Sequence, residues 1–344
     1  MKALRLAFRS LSLLAVLSLL PAVSTGAFAA QIVRLGYFPN ITHSQALVGV
    51  ANGEFEKALG PGVELQTKLF NAGPSVIEAL FAGQIDLSYI GPNPAINGYV
   101  RSEGKALKII AGATSGGAAL IVREGSGIKT AADFRNKRIA SPQLGNTQDV
   151  ALRAWLLQKG YKLKEKGGDV EVIPLANPDQ LTLFRKKEID GVWAVEPWAT
   201  RLIREGKGRV FLDERTLWPD GKFVTAHVIV STKFLNEHPD LVRQFLRAHV
   251  KVTRWINQNL PRAKKIVNDE IERSTGKALP TDVIDDAFSR LDVTYDPVRK
   301  SLHDSAEDAF KLGFLGAQKP DLGGIYALGL LNEVLAEEKL PPVK

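Results

Sequence analysis

The sequence predicts an α/β protein of two similar lobes, each a mostly parallel sheet flanked by helices. Three observations lead there. Short apolar runs alternate with helix-like stretches at close spacing, the pattern of strands joined by crossover helices. The alternation begins again after Arg123. The two stretches also share an echo. Leu80-Phe81 and Ile85-Asp86 are followed by Tyr89 and Pro92, and Leu183-Phe184 and Ile189-Asp190 are followed by Trp193 and Pro197.

Taken in order, Gln31 to Gly36 reads as a buried strand and Tyr37 to Thr42 as a loop. A helix is expected from about Ser44 to Leu59, broken by Gly53. Val63 to Phe70 is a second strand, and Asn71-Ala72-Gly73-Pro74-Ser75 turns into a helix whose Ile77, Leu80 and Phe81 share a face. Ile85 to Ile90 is a third strand. Gly91-Pro92-Asn93-Pro94 then starts a helix, with Asn93 as cap and Pro94 at its first position. Leu107 to Thr114 and Ala118 to Val122 are strand-like, separated by Ser115-Gly116-Gly117, where the backbone is free to bend or approach a ligand.

The second half opens on Arg138 to Gly160, RIASPQLGNTQDVALRAWLLQKG. A short strand at 138–141 ends at Pro142, and Gly145 makes a tight turn. Asn146 and Thr147 are good helix caps, and Asp149 suits the first turn of a helix dipole. Leu152, Trp155 and Leu156 share an apolar face. Such a strand–loop–helix aims backbone N–H groups and side-chain donors at one point, which suits an anionic oxygen; an ordinary capped helix reads the same way. A strand at 170–174, a helix at about 179–187, a strand at 189–193 and a helix from about Pro197 follow. After the strand-like Thr225 to Ser231 the chain is mostly helical, with Leu241, Phe245, Val252 and Ile256 on one stripe.

Lys2, Arg5 and Arg9, the apolar Leu11 to Val23 and the small-x-small Ala27-Phe28-Ala29 read as a cleavable export signal over 1–29. Its apolar part is too short to span a bilayer, and no later stretch is long and apolar enough to do so. With no Cys in the chain, there is no cysteine lipid anchor, disulfide or thiolate metal site. The expected product is a soluble, monomeric periplasmic protein of about 315 residues, a length that suits two domains. The formal charge of +8 includes three signal-segment cations. The remainder, about +5, is interspersed with acids, as in KLKEK at 162–166, so no nucleic-acid stripe is read.

In open α/β sheets ligands bind beyond the carboxyl ends of the strands. Tyr37 and Asn40, then Gly91, Pro92 and Asn93, lie there in the first half. Thr114, Ser115 and Gly116 lie at a possible lobe crossing. Asn146, Thr147 and Gln148, then Trp193 to Trp198, occupy the equivalent places in the second half. Converging helix starts would make a cleft of positive backbone potential with aromatic walls.

LGYFPNITHSQALV (35–48), AGPSVIEALFAGQIDLSYIGPNPAI (72–96), SPQLGNTQDVALRAWL (141–156) and IDGVWAVEPWATRL (189–202) give the chain its resemblance to a known family. It resembles periplasmic substrate-binding proteins of ABC importers, in the nitrate/sulfonate/taurine group, over essentially all of the mature chain. The resemblance implies a type II-like fold: lobe one at 30–120, lobe two at 121–224, and a return to lobe one with C-terminal helices at 225–344. Hinge crossings would fall near 115–125 and 222–228. It also implies a permease and a cytoplasmic ATPase as partners, and a small anion clamped between the lobes.

Taurine-binding members carry an acid at the position of His227; its absence here puts recognition of taurine's ammonium in doubt. Glu196 either faces an amino or hydroxyl group of the ligand or caps the helix at Pro197. Trp193 and Trp198 either pack on an alkyl chain or fill the core. An alkanesulfonate fits this set best, with nitrate as the near alternative and a solute-sensing role for a signalling receptor as the rival outside transport.

An enzyme is not expected. There is no G-x-S-x-G, H-E-x-x-H or phosphate loop, and the His residues at 43, 227, 238, 249 and 303 are scattered. A related fold hosts a pyrimidine-forming enzyme family, but its Cys-rich signature cannot exist in this chain. No cofactor or metal motif is read.

Overall fold

The computed structural model describes residues 30–344; the expected export signal, 1–29, lies outside them. The first lobe opens with β1 (Gln31–Tyr37), α1 (Ser44–Ala51), α2 (Glu54–Leu59), β2 (Val63–Leu69), α3 (Gly73–Phe81), β3 (Leu87–Ile90), α4 (Pro92–Arg101) and β4 (Leu107–Gly116). The second lobe holds β5 (Ala118–Arg123), β6 (Arg138–Ser141), α5 (Thr147–Gln158), β7 (Glu171–Pro174), α6 (Asn177–Arg185), β8 (Gly191–Val195), α7 (Trp198–Arg204) and β9 (Gly208–Asp213). β10 (Val224–Ser231) rejoins the first sheet. It is followed by α8 (Thr232–Glu237), α9 (Pro239–Gln258), α10 (Leu260–Thr275), α11 (Thr281–Phe288), β11 (Leu291–Val293), α12 (Arg299–Lys311) and α13 (Gly329–Glu337).

The first sheet has the order β11-β4-β10-β3-β1-β2 and the second β7-β6-β8-β5-β9. In each, three parallel strands meet an antiparallel one: β2, β1 and β3 against the returning β10, and β7, β6 and β8 against the entering β5. The repeated Ile-Asp has a structural cause. Asp86, just before β3, accepts the backbone N–H of Arg34 on β1 at 2.8 Å. Asp190, just before β8, accepts that of Arg138 on β6 at 3.0 Å. Each carboxylate caps the neighbouring strand's free edge group, so the acid recurs at the same place in both lobes.

Gly53 divides the first long helix as expected, at φ 64°. The stripe Leu241, Phe245, Val252 and Ile256 is buried along α9. Each such side chain contributes about 1.5–3 kcal/mol by leaving water. β8 begins two residues later than the apolar run suggests, and β9 and β11 were not anticipated. β9 carries Arg209, and β11 is three residues long, so neither shows an apolar run of readable length.

The chain leaves the first sheet at Gly116 and enters the second at Ala118, through Gly116 and Gly117 at φ 76° and 75°. It returns between Asp213 and Val224. Residues 225–228, expected at the second crossing, are inside β10. Among the described residues no helix is long and apolar enough to cross a membrane.

Candidate ligand site

The ends of β1, β2, β3, β6, β7 and β8 and the interior of β10 meet between the lobes. After β1, the loop Phe38–His43 is held by His43, whose Nδ1 accepts the Phe38 N–H at 3.1 Å while the two rings stack at 4.4 Å. Burial lowers the His43 pKa to about 3, so the ring is a neutral acceptor. This fixes Asn40, which is buried and faces the second lobe. Its Oδ1 accepts the indole N–H of Trp198 at 3.1 Å.

After β6, the loop before α5 is held from beneath by Asp149. Its carboxylate accepts from Ser141 Oγ at 2.6 Å, Gly145 N at 2.9 Å and Arg153 Nε at 2.9 Å. Arg153 in turn pairs with Glu165. The buried acid thus has a cation and two further donors, the condition under which a buried charge is tolerated. Above it, Asn146 Nδ2 donates to Gln148 Oε1 at 3.1 Å, which leaves the Gln148 amide nitrogen free. Thr147 Oγ1 is buried without a partner. Asn146 occupies the cap position but its side chain makes no capping bond. The first backbone bond of α5 runs from Val150 N to Asn146 O at 3.0 Å. Earlier N–H groups point out of the helix start, as at any N-terminus.

The two lobes touch at Gly91. A Cβ there would lie 2.4 Å from Thr147 Oγ1. The residue is glycine because of this approach, since its φ of −71° is open to any residue. Around the contact is a cavity of about 20 Å³, lined in part by Asn40, Gly91, Asn146, Thr147, Gln148, Asn177 and Thr225. No Asp, Glu, Lys or Arg lines it. Asn177, at the start of α6, is 7% exposed and its Oδ1 has no partner. The cavity shares Phe38, Asn40, Asn71 and Asn177 with a larger one of about 450 Å³ that leads outward between the lobes.

Of the residues expected from the sequence, Asn40, Gly91, Asn146, Thr147 and Gln148 come together at this cavity. The others do not line it. Asn93 turns to α12, accepting from Ser305 Oγ at 2.8 Å, and Pro92 and Pro94 deprive the α4 start of two N–H donors. The free backbone donors beside the cavity therefore come mainly from the start of α5, not from the Gly91–Asn93 stretch where they were expected. Tyr37 is buried, with its phenol among Thr67, Glu270 and Arg273, and burial raises its pKa.

Thr114 donates to Thr42 O at 2.6 Å. Ser115 lies in β4 beside β10 and β11, and Gly116 accepts from Thr225. Trp193 is fully buried within the second lobe and donates to Glu214 Oε2 at 2.7 Å, so it is core. His227 is fully buried against Pro297 O at 2.9 Å, and burial lowers its pKa to about 4. Glu196 is the cap of the α7 segment: Oε2 accepts from Thr200 N at 3.1 Å, and Oε1 lies 3.4 Å from Arg290 Nε of the first lobe.

Sequence reasoning placed the loop Tyr37 to Thr42 at the cleft without singling out Phe38 or Thr42, and did not single out His43, Asn71, Pro142, Asn177 or Thr225 as site residues. Asn71 and Asn177 follow β2 and β7, so the strand-end rule would have found both. Thr225 lies inside a strand and gives no such signal.

A model of the NMT1-like family matches residues 27–268. A Brucella abortus protein named only as a binding protein is 31% identical over 247 residues, 70% of this chain and 71% of that one. The taurine-binding periplasmic protein of Escherichia coli is 26% identical over 233 residues, 68% of this chain and 69% of that one. Among solved structures, the alkanesulfonate-binding protein SsuA of Xanthomonas axonopodis pv. citri, bound to MOPS, superposes with a TM-score of 0.71 at 19% identity. It covers 88% of this chain and 100% of that one, a likeness of fold. On the family match over most of its length and the Brucella relative, the chain belongs to the NMT1-like family, among its binding proteins.

Proposed function

We propose that this chain is the solute-binding component of an ABC importer and captures a small organic monoanion, an aliphatic sulfonate in first place. The observation that carries the reading is the cage at the Gly91–Thr147 contact. Its lining offers the unpartnered Thr147 hydroxyl, the side-chain amides of Asn40, Asn71, Asn146, Gln148 and Asn177, and the N–H groups of a helix start, with no charged side chain. Neutral donors of this kind bind a fully ionised anion without a counter-cation. A phosphate ester, doubly charged near neutral pH, would ask for a cation that the lining lacks.

The names of the relatives, taurine-binding in Escherichia coli and alkanesulfonate-binding in Xanthomonas, support the same ligand class. In this reading the lobe boundaries expected at 121 and 225 move to the strand ends, giving a first lobe of 30–116 with 224–344 and a second lobe of 118–213. The lobes close about Gly116–Gly117, and the closed form docks on a permease whose ATPase drives import. The monomer works in the periplasm after loss of residues 1–29. N-terminal sequencing of the protein from its host tests the export step; a start at Met1 would sink it.

Calorimetry on protein stripped by unfolding and refolding tests the ligand class, with methanesulfonate, longer alkanesulfonates, taurine, nitrate and sulfate. Binding of nitrate alone, with every sulfonate silent, would overturn the sulfonate reading.

A further inference from the structure

We infer that the ligand carries a bulky, uncharged apolar tail, seated in the 450 Å³ cavity outside the donor cage, and that this tail rather than the anionic head sets specificity. This rests on the anion reading above.

The head cage is small. Its cavity of about 20 Å³ is near the size of a single water site. The lobes are thus in contact around the head, and no room remains there to select among organic groups. The space lies outward. The outer cavity is within the range of sites for drug-sized ligands, and it adjoins the cage, sharing Phe38, Asn40, Asn71 and Asn177 as walls. Its walls come from both lobes: Phe38, Phe70, Ile271 and Leu279 from the first, Trp198 from the second. A flat or branched apolar group entering there would lie among these apolar and aromatic side chains.

The charges in this cavity argue against a cationic tail. Arg201 and Glu205 line it, but they are bound to each other at 2.6 Å, and the guanidinium also lies 4.5 Å from the centroid of the Trp198 ring. The remaining charge, Lys277, is an exposed cation. No unpaired carboxylate lines the cavity, so the ammonium of an aminosulfonate would lose hydration with no partner to replace it. Nitrate would leave the cavity empty. The arrangement therefore fits an organic sulfonate with an alkyl or aryl tail of several carbons.

Calorimetry on the stripped full chain separates tail from head. The probes are methanesulfonate, butanesulfonate, hexanesulfonate, 2-naphthalenesulfonate, taurine, and 2-naphthalenemethanol as the tail without the anion. The dissociation constant should fall about fourfold per buried methylene along the alkyl series, with the naphthyl compound among the tightest. Ala278, a half-buried wall residue, offers a control. Ala278→Trp should fill the cavity and weaken naphthalenesulfonate about ten- to a hundredfold, with methanesulfonate unchanged.

Equal affinities along the series, or taurine binding more tightly than butanesulfonate, would overturn the tail inference and leave the anion reading standing. Naphthalenemethanol binding as tightly as naphthalenesulfonate would overturn the anion reading and leave the tail. Silence of every probe would overturn both.

Discussion

The indole N–H of Trp198 donates to Oδ1 of Asn40 at 3.1 Å, and the two residues belong to different lobes. An indole nitrogen only donates, so it fixes the Asn40 oxygen as acceptor and leaves the amide nitrogen as a donor in the cage. The bond can form only when the lobes are together. Closure and completion of the donor set are therefore one event. Trp198→Phe keeps an aromatic wall and removes the bond. Its expected cost is about 0.5–1.5 kcal/mol, or roughly two- to tenfold in the dissociation constant for a sulfonate, measured by calorimetry. Asn40→Asp puts a carboxylate in place of the donor and should abolish binding. Wild-type affinity in that variant would place the anion elsewhere.

Thr147 Oγ1 is buried, partnerless and aimed at the lobe contact. With an anion seated at the start of α5, it would donate one charge-assisted hydrogen bond. Thr147→Ala should weaken sulfonate binding by about 1.5–3 kcal/mol, roughly ten- to a hundredfold. The helix itself should be unaffected, because Asn146 holds the cap position and no side chain caps α5. Thermal unfolding of the unliganded variant should match the parent chain. A lower melting point without loss of affinity would mean the hydroxyl is structural.

How much of this was written in the sequence depends on the kind of signal. The strand–helix alternation and the Ile-Asp echo carried the two-lobed fold, because edge-capping by Asp86 and Asp190 is a local need repeated in each lobe. The Asn146–Gln148 loop was legible because a glycine turn followed by capping residues is a local pattern too. Side-chain direction was not. Trp193 and Trp198 stand five residues apart at the same sheet end, yet one fills the second lobe's core and the other faces Asn40. Trp193 lies in β8, where the period of two sets its face, whereas Trp198 opens α7 beyond the strand end, so the two side chains obey different periodicities that their spacing does not reveal. His227 shows the same limit, since its side of β10 is decided by packing against Pro297 and Tyr326, far along the chain.

Gly91→Ala tests the lobe contact directly. The new Cβ would meet Thr147 Oγ1 at 2.4 Å, while the backbone at φ −71° accepts alanine without strain. Folding stability should hold and closure should fail. Small-angle scattering with saturating sulfonate should then show no decrease in radius of gyration, whereas the parent chain contracts. Adding Thr147→Ala removes the clashing oxygen, so the double variant should close again although it lacks the hydroxyl. That non-additivity is the signature of two residues in contact. If Gly91→Ala contracts like the parent, the contact is not what limits closure.

Glu196 gives binding a pH dependence whose sign can be worked out. The carboxyl is fully buried beside Arg290 of the first lobe, with Asp286 also near, and burial pushes its pKa from 4.5 up to about 7. Opening the lobes would take Arg290 away and return the carboxyl to water, where its pKa falls back toward the ordinary value. The closed form thus holds this proton more tightly than the open one. Between about pH 7 and pH 4.5, falling pH favours closure, and so it favours any ligand that binds the closed form. A sulfonate stays ionised throughout. His227, with its pKa lowered to about 4, and His43, lowered to about 3, remain neutral over most of that window. Affinity should rise from pH 7 to pH 5 by about tenfold or less, because the Arg290 pair opposes the burial effect. Glu196→Gln, which keeps the shape and removes the titration, should flatten the profile. Calorimetry across pH 5 to 7 on both chains decides. A parent affinity that falls with pH would mean that the Arg290 pair, not desolvation, governs the charge state of this carboxyl.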